Sequence, residues 1–230
     1  MQKNAIVTGG VGALGTAIVN KLNSINYRIT ATLGPGDQAE SDAGSNLIYQ
    51  KVNLTGEEET NDFVKDYFSR EPKVDLLVLT VGGFSAGSLE DTTVTDINRM
   101  INLNFHTAFN LVKPVVKKMR AQETGGQIIF VGSRPAINPQ EGKNTLAYSL
   151  SKSLLFSFAE ILNAQYQRQN IDTSVIVPSI IDTPANRKAM PDANFPDWVK
   201  PEEIADAVEF IISGSGQKLR NTNFYIYGNA

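Results

Sequence analysis

The chain contains no cysteine, one histidine and one tryptophan in 230 residues. Without a thiol there are no disulfide staples, no cysteine nucleophile and no thiolate metal site, while the redox compartment stays open. With His106 as the single histidine and no carboxylate cluster at ligand spacing, no metal is expected, and His106 is given no role. Nor is there an excess of positive charge: 21 basic against 24 acidic residues leave a net charge of -3, with no basic stripe to follow a phosphate backbone. Neither nucleic acid nor a membrane surface is therefore an expected partner. No apolar run reaches membrane-spanning length, and Met1-Gln2-Lys3-Asn4 leads straight into a strand-like segment with no room for a signal peptide. The expected location is cytoplasmic.

What is present is an alternation. Short β-branched runs at 4–8, 28–33, 47–52, 76–80, 127–131, 173–177 and 224–227 alternate with segments of helical period. The first of these carries the stripe Leu14, Ala17, Ile18, Leu22, and later ones read as helices at 57–69, 95–121, 146–168 and 202–212. Such alternation means βαβ units and a mostly parallel sheet of about seven strands. The 41% hydrophobic content suits a single α/β domain over 1–230. Two long loops, 34–45 and 183–200, interrupt the pattern without looking like linkers.

Two local constellations carry chemistry. Thr8-Gly9-Gly10-Val11-Gly12-Ala13-Leu14-Gly15 lies between the first strand and the first helix. Glycines there let the backbone approach a pyrophosphate, and the helix start supplies free N–H donors and partial positive charge. Tyr148 and Lys152 stand four positions apart at the start of an apolar helical run, so they share a helix face. A nearby ammonium favours the phenolate, and the spacing predicts a Tyr148 pKa below the usual value of about 10, suited to proton transfer.

The glycine loop, Asp75 leading the fourth strand, Ser133 after the fifth and the Tyr148/Lys152 pair together resemble the short-chain dehydrogenase/reductase family over essentially the whole chain. Thr8, Gly9 and Gly15 match the family's T-G-x-x-x-G-x-G motif, with Ala13 at its middle glycine. Leu79-Thr80-Val81-Gly82 stands where the family has N-N-A-G, and Pro178-Ser179 where it has P-G. The resemblance implies a doubly wound Rossmann fold and hydride transfer between a nicotinamide cofactor and a carbonyl or alcohol. In it Tyr148 is the general acid/base, Lys152 tunes the tyrosine and holds the nicotinamide ribose, Ser133 hydrogen-bonds the substrate oxygen, and Asn102 fixes a water in a proton relay. The extra residues between Ser133 and Tyr148 fall in the loop 138–144. Implied cofactor contacts are Gly9, Gly12, Ala13, Leu14 and Gly15, then Leu33, Asn53 and Leu54. Further along they are Val81 and Gly82, then Pro178, Ile181 and Thr183, besides Tyr148 and Lys152.

A dinucleotide fold that binds NAD usually ends its second strand in an acid, whereas here the end reads Ala31-Thr32-Leu33-Gly34, with Asp37 later in the loop. The missing acid favours NADP(H) over NAD(H). The segment 183–200 occupies the family's substrate lid and shows little helical period, with Met190, Phe195 and Trp198 expected to face the ligand. The wide apolar arc Leu150, Leu154, Leu155, Phe158, Ile161, Leu162 and the family's two-fold helix interface imply a homodimer or homotetramer. Two other functions stay open. One is a dihydropteridine-reductase-like enzyme, to which the glycine loop, Gly82-Gly83-Phe84 and 184–198 are similar. The other is a nicotinamide-binding sensor without turnover, suggested by the altered 79–82 motif.

Overall fold

The computed structural model describes residues 2–39, 46–219 and 223–229. Each apolar run forms a strand: β1 (Asn4–Val7), β2 (Arg28–Leu33), β3 (Leu47–Lys51), β4 (Leu76–Leu79), β5 (Gly126–Val131), β6 (Ile171–Pro178) and β7 (Asn223–Ile226). All pair in parallel, in the order β3-β2-β1-β4-β5-β6-β7. The helices are α1 (Ala13–Ser24), α2 (Glu57–Arg70), α3 (Val94–Ile101), α4 (Thr107–Met119), the short α5 (Pro139–Gly142), α6 (Leu146–Tyr166), α7 (Pro184–Ala189) and α8 (Pro201–Ile212).

Strand residues alternate between two buried layers, as period two requires. Ala5 and Val7, Leu76 and Val78, and Ile129 and Val131 meet α1 and α8 on one face. Ile6, Leu77, Ile128 and Phe130 meet α2, α4 and α6 on the other. This is the doubly wound Rossmann arrangement in one domain. The chain reverses its progress across the sheet between β1 and β4, which opens a crevice at the carboxyl ends of those strands, where the glycine loop lies.

Two segments differ from the sequence reading. The helix expected over 95–121 is divided by a π-helical turn, Asn102–His106, between α3 and α4. Within the expected irregular lid lies α7, whose cap is Thr183: its Oγ1 accepts the Asn186 N–H at 3.1 Å, and Pro184 follows in the first turn. Of the loop 34–45, residues 40–45 lie outside the described residues.

Candidate active site

Helix α6 packs over β6 and reaches the exit of β5, where Gly132 has no side chain to obstruct it. A Cβ there would stand 2.8 Å from Phe156 Cζ and 2.9 Å from Val175 Cγ1. The approach lets the buried Lys152 donate from Nζ to the Val131 carbonyl at 2.8 Å and sets Tyr148, one turn earlier, beside Ser133. The Ser133 Oγ is wholly buried, and the Tyr148 hydroxyl beside it is its one polar neighbour among the described residues. Sequence reasoning and structure thus agree on bringing Ser133, Tyr148 and Lys152 together.

Their electrostatics differ from expectation. Burial pushes the Tyr148 phenol above its ordinary range, opposed by a smaller downward pull from Ser133, and it lowers Lys152 to about 8. Desolvation sets the direction, and the expected lowering by Lys152 is not among the causes. At neutral pH the phenol carries its proton.

Asn102 is not part of this cluster. It is exposed on the π turn, with Oδ1 3.2 Å from His106 Nδ1. Two residues on, Asn104 is buried at 1% exposure. Its Oδ1 accepts the Gly83 N–H at 2.8 Å, and its Nδ2 donates to the Gly83 carbonyl at 3.1 Å and to Ser151 Oγ at 2.9 Å. Ser151 Oγ in turn donates to the Tyr148 carbonyl at 2.7 Å. A signal for Asn104 lies in the sequence: Met100, Asn104, Ala108, Leu111 and Val115 follow one helical stripe, and Asn102 falls on the opposite side.

The glycine loop fits a dinucleotide. Gly9 adopts φ +63°, and a Cβ on Gly15 would lie 2.0 Å from the Gly9 carbonyl, so the loop folds tightly onto the start of α1. Gly12 is the N-cap of α1; it and Ala13 are exposed, so the alanine methyl replaces a hydrogen without a clash. Leu14, Leu33 and Leu54 are buried in the core, which leaves only their backbones for a ligand. Asn53 Oδ1 accepts from the Thr55 N–H and hydroxyl, an ordinary turn. The altered 79–82 segment is held by Thr8, whose Oγ1 accepts the N–H groups of Thr80 and Val81 at 2.9 and 3.2 Å. Gly82 is confined: a Cβ would stand 2.6 Å from Asn104 Oδ1 and 3.2 Å from Lys152 Nζ. At the end of β2, Asp37 turns back so that its Oδ2 accepts the Gly34 N–H at 2.8 Å, which brings an acid to the strand end despite the neutral Leu33.

Beyond β6, which ends at Pro178, the main chain of Ile181 forms a bridge with Val199, and its carbonyl accepts from Asn186. Trp198 is only 5% exposed and packs on Phe195 with ring centroids 4.9 Å apart. It belongs to the body of the protein, contrary to its expected ligand-facing place. Met190 is exposed and Phe195 half-buried, with Arg187 over its ring at 4.7 Å. Among the described residues no helix is long and apolar enough to cross a membrane, and no group of three or more metal-ligating side chains gathers.

The family model for short chain dehydrogenases matches residues 3–194. A dihydropteridine reductase from Dictyostelium discoideum is 30% identical over 209 residues, covering 90% of this chain and 86% of that protein. An acetoacetyl-CoA reductase from Acinetobacter is 27% identical over 99% of this chain and 97% of its own. Among solved structures, ElxO with NADP bound superposes with a TM-score of 0.88 at 19% identity, covering 99% of this chain and 98% of that one.

The buried ammonium makes stability depend on pH in a defined window. Below about pH 8 Lys152 is charged in both folded and unfolded chains, and its desolvation cost is fully present. Between about 8 and its ordinary 10.5 the unfolded chain binds more protons, so the stability of the protein rises with pH. Lys152→Met should therefore be more stable than the parent at pH 7, by at most about 3 kcal/mol, with the difference closing towards pH 10. Denaturant melts at the two pH values check this; a difference that does not change with pH contradicts it.

Proposed function

The chain belongs to the short-chain dehydrogenase/reductase family and is an NAD(P)-dependent oxidoreductase, and from that premise we propose that it reduces a small-molecule carbonyl or C=N group, with Tyr148 as the general acid. The observation that carries the reading is the juxtaposition of two hydroxyls: the buried Ser133 Oγ, with no partner other than Tyr148 among the described residues, beside a phenol that burial keeps protonated. A substrate oxygen or nitrogen at that point would accept from both. The bound nicotinamide would supply the hydride. As negative charge develops on the substrate atom, Ser133 stabilises it by hydrogen bonding and Tyr148 gives up its proton. Lys152, one helical turn on, favours the resulting phenolate. Asn104, in place of Asn102, positions the pair by tying the β4 exit to α6. The two reductases among the relatives support reduction as the direction, and the dihydropteridine reductase keeps a C=N substrate in view.

Tyr148→Phe should leave cofactor affinity nearly unchanged while kcat falls by about 10²–10⁴-fold, the usual contribution of a positioned acid. Steady-state turnover with quinonoid dihydropterin and simple ketones checks it, and near-normal kcat in the variant contradicts the mechanism. A wild-type protein that binds cofactor but turns over neither substrate class supports the sensor reading instead.

The proposed cofactor preference is NADP(H). Leu33 offers no carboxylate to a ribose, and the sheet register places Lys51 directly beside it on β3, a cation for a 2′-phosphate. Asp37 is the opposing charge. Asp37→Asn should tighten NADPH more than NADH, and Lys51→Ala should loosen NADPH selectively. Dissociation constants for both cofactors decide it, tighter NADH binding by the parent being the contrary result.

A homodimer or homotetramer is proposed through α4 and α6. Phe109, Leu150, Leu154 and Ile161 are exposed there, and Phe105, Phe109 and Phe158 form an aromatic cluster at the junction. Light scattering should give a multiple of 25.1 kDa; a monomer mass refutes it.

A further inference from the structure

Phe84 is 64% exposed, and the backbone on both sides of it is tied down. On its amino side, both backbone polar groups of Gly83 are bound by Asn104. Gly83 also lies so close to Leu103 that a Cβ would stand 2.4 Å from Leu103 Cδ2. On its carboxyl side the Gly87 N–H donates to the Asn144 carbonyl at 2.8 Å, and the Leu146 N–H donates to the Gly87 carbonyl at 3.0 Å, fastening the loop to the first turn of α6. Between these clamps the Phe84 ring meets the Tyr148 ring edge-on, with centroids 5.1 Å apart and planes at 65°. A large apolar ring left in solvent at a fixed angle, touching the proton donor, is a recognition surface in search of an apolar partner.

The charges nearby narrow the partner's chemistry. Arg99, next to Ser85, is paired with Asp96 at 3.2 Å; Arg134, next to Ser133, with Glu141 at 2.8 Å; and Arg187 with Asp182 through both Nε and Nη2. These three guanidiniums, already matched by carboxylates, are poor receptors for a polyanionic carrier. A flat ring, by contrast, gains edge or offset contacts with a fixed aromatic surface that a flexible alkyl chain does not.

We infer that Phe84 is a specificity-determining residue that packs against a planar, unsaturated group bonded to the reacting carbon, so that the enzyme favours neutral ring-bearing carbonyl or C=N substrates over alkyl ketones and phosphate-bearing thioesters. The inference rests on the reduction proposed above and names its substrate class.

The test uses the full chain with reduced cofactor and two ketones of equal carbon number, acetophenone and 2-octanone. The ratio of their kcat/KM values should favour acetophenone and fall about tenfold in Phe84→Ala and Phe84→Leu, mainly through KM, while Phe84→Trp retains it. Thermal melts verify that each variant is folded. An unchanged ratio, or an equal loss of kcat for both ketones, overturns the inference, the latter leaving Phe84 only a prop for Tyr148. If the parent reduces neither ketone nor dihydropterin, the reduction reading fails, and Phe84 is judged by binding alone. Saturation-transfer NMR of 1-phenylethanol on the cofactor-loaded protein should then show ring contact that Phe84→Leu weakens, and equal contact in both proteins overturns the inference.

Discussion

One buried amide holds the site together. Asn104 sits where the π turn carries the chain from α3 into α4, and it uses its full useful complement of hydrogen bonds: Gly83 on both sides of the backbone and the Ser151 hydroxyl. Gly83 belongs to the turn that ends β4 and presents Phe84, while Ser151 stands between Tyr148 and Lys152 on α6. Three segments far apart in sequence are thereby fixed to a single side chain. Loss of that side chain would leave both part-buried backbone groups of Gly83 without their partner and remove a bond from the buried Ser151 hydroxyl, an unmet polar group costing about 1–3 kcal/mol when buried.

Around this lock the protein accepts unfavourable burial. Gly132 removes the side chain that would press on Phe156 of α6 and Val175 of β6, and the close packing desolvates both Tyr148 and Lys152. The ammonium is compensated by one carbonyl and the phenol by little beyond the neighbouring Ser133. Such an arrangement is costly for stability and suits the proposed chemistry: it holds a protonated phenol next to a buried hydroxyl in a low-dielectric site. The glycine loop shows the same logic at the other end of the crevice, where Gly9 and Gly15 exclude side chains so that backbone can face a phosphate.

Much of this was legible in the sequence because it rests on periodicity and residue type. The β-branched runs became strands within a residue or two, since buried parallel strands leave a continuous apolar signature. Ser133, Tyr148 and Lys152 were legible from their order. Asn104 was missed because two asparagines stand two apart, and only the helical stripe through Met100 and Leu111 separates the buried from the solvent-facing one. The pKa of Tyr148 is not legible because spacing reports a neighbour's charge but not desolvation, which depends on how closely α6 packs on the sheet. Trp198 was placed on the ligand because an aromatic in a loop looks available; its burial depends on packing against Phe195 and on the Asn229 N–H bonding the Asp197 carbonyl, contacts that arise only in the fold. Asp37 is visible in the sequence as an acid in the loop, but its return to the Gly34 N–H is a property of the turn.

The central claim is that Asn104 positions the catalytic helix, and kcat of Asn104→Leu tests it most directly. Leucine preserves volume and burial while removing every hydrogen bond to Gly83 and Ser151. The account predicts a protein that folds and binds cofactor but whose kcat falls by about 10²-fold, the effect of displacing an acid by about 1 Å. A kcat within about twofold of the parent would contradict it, because Tyr148 and Lys152 would then hold their places without the lock.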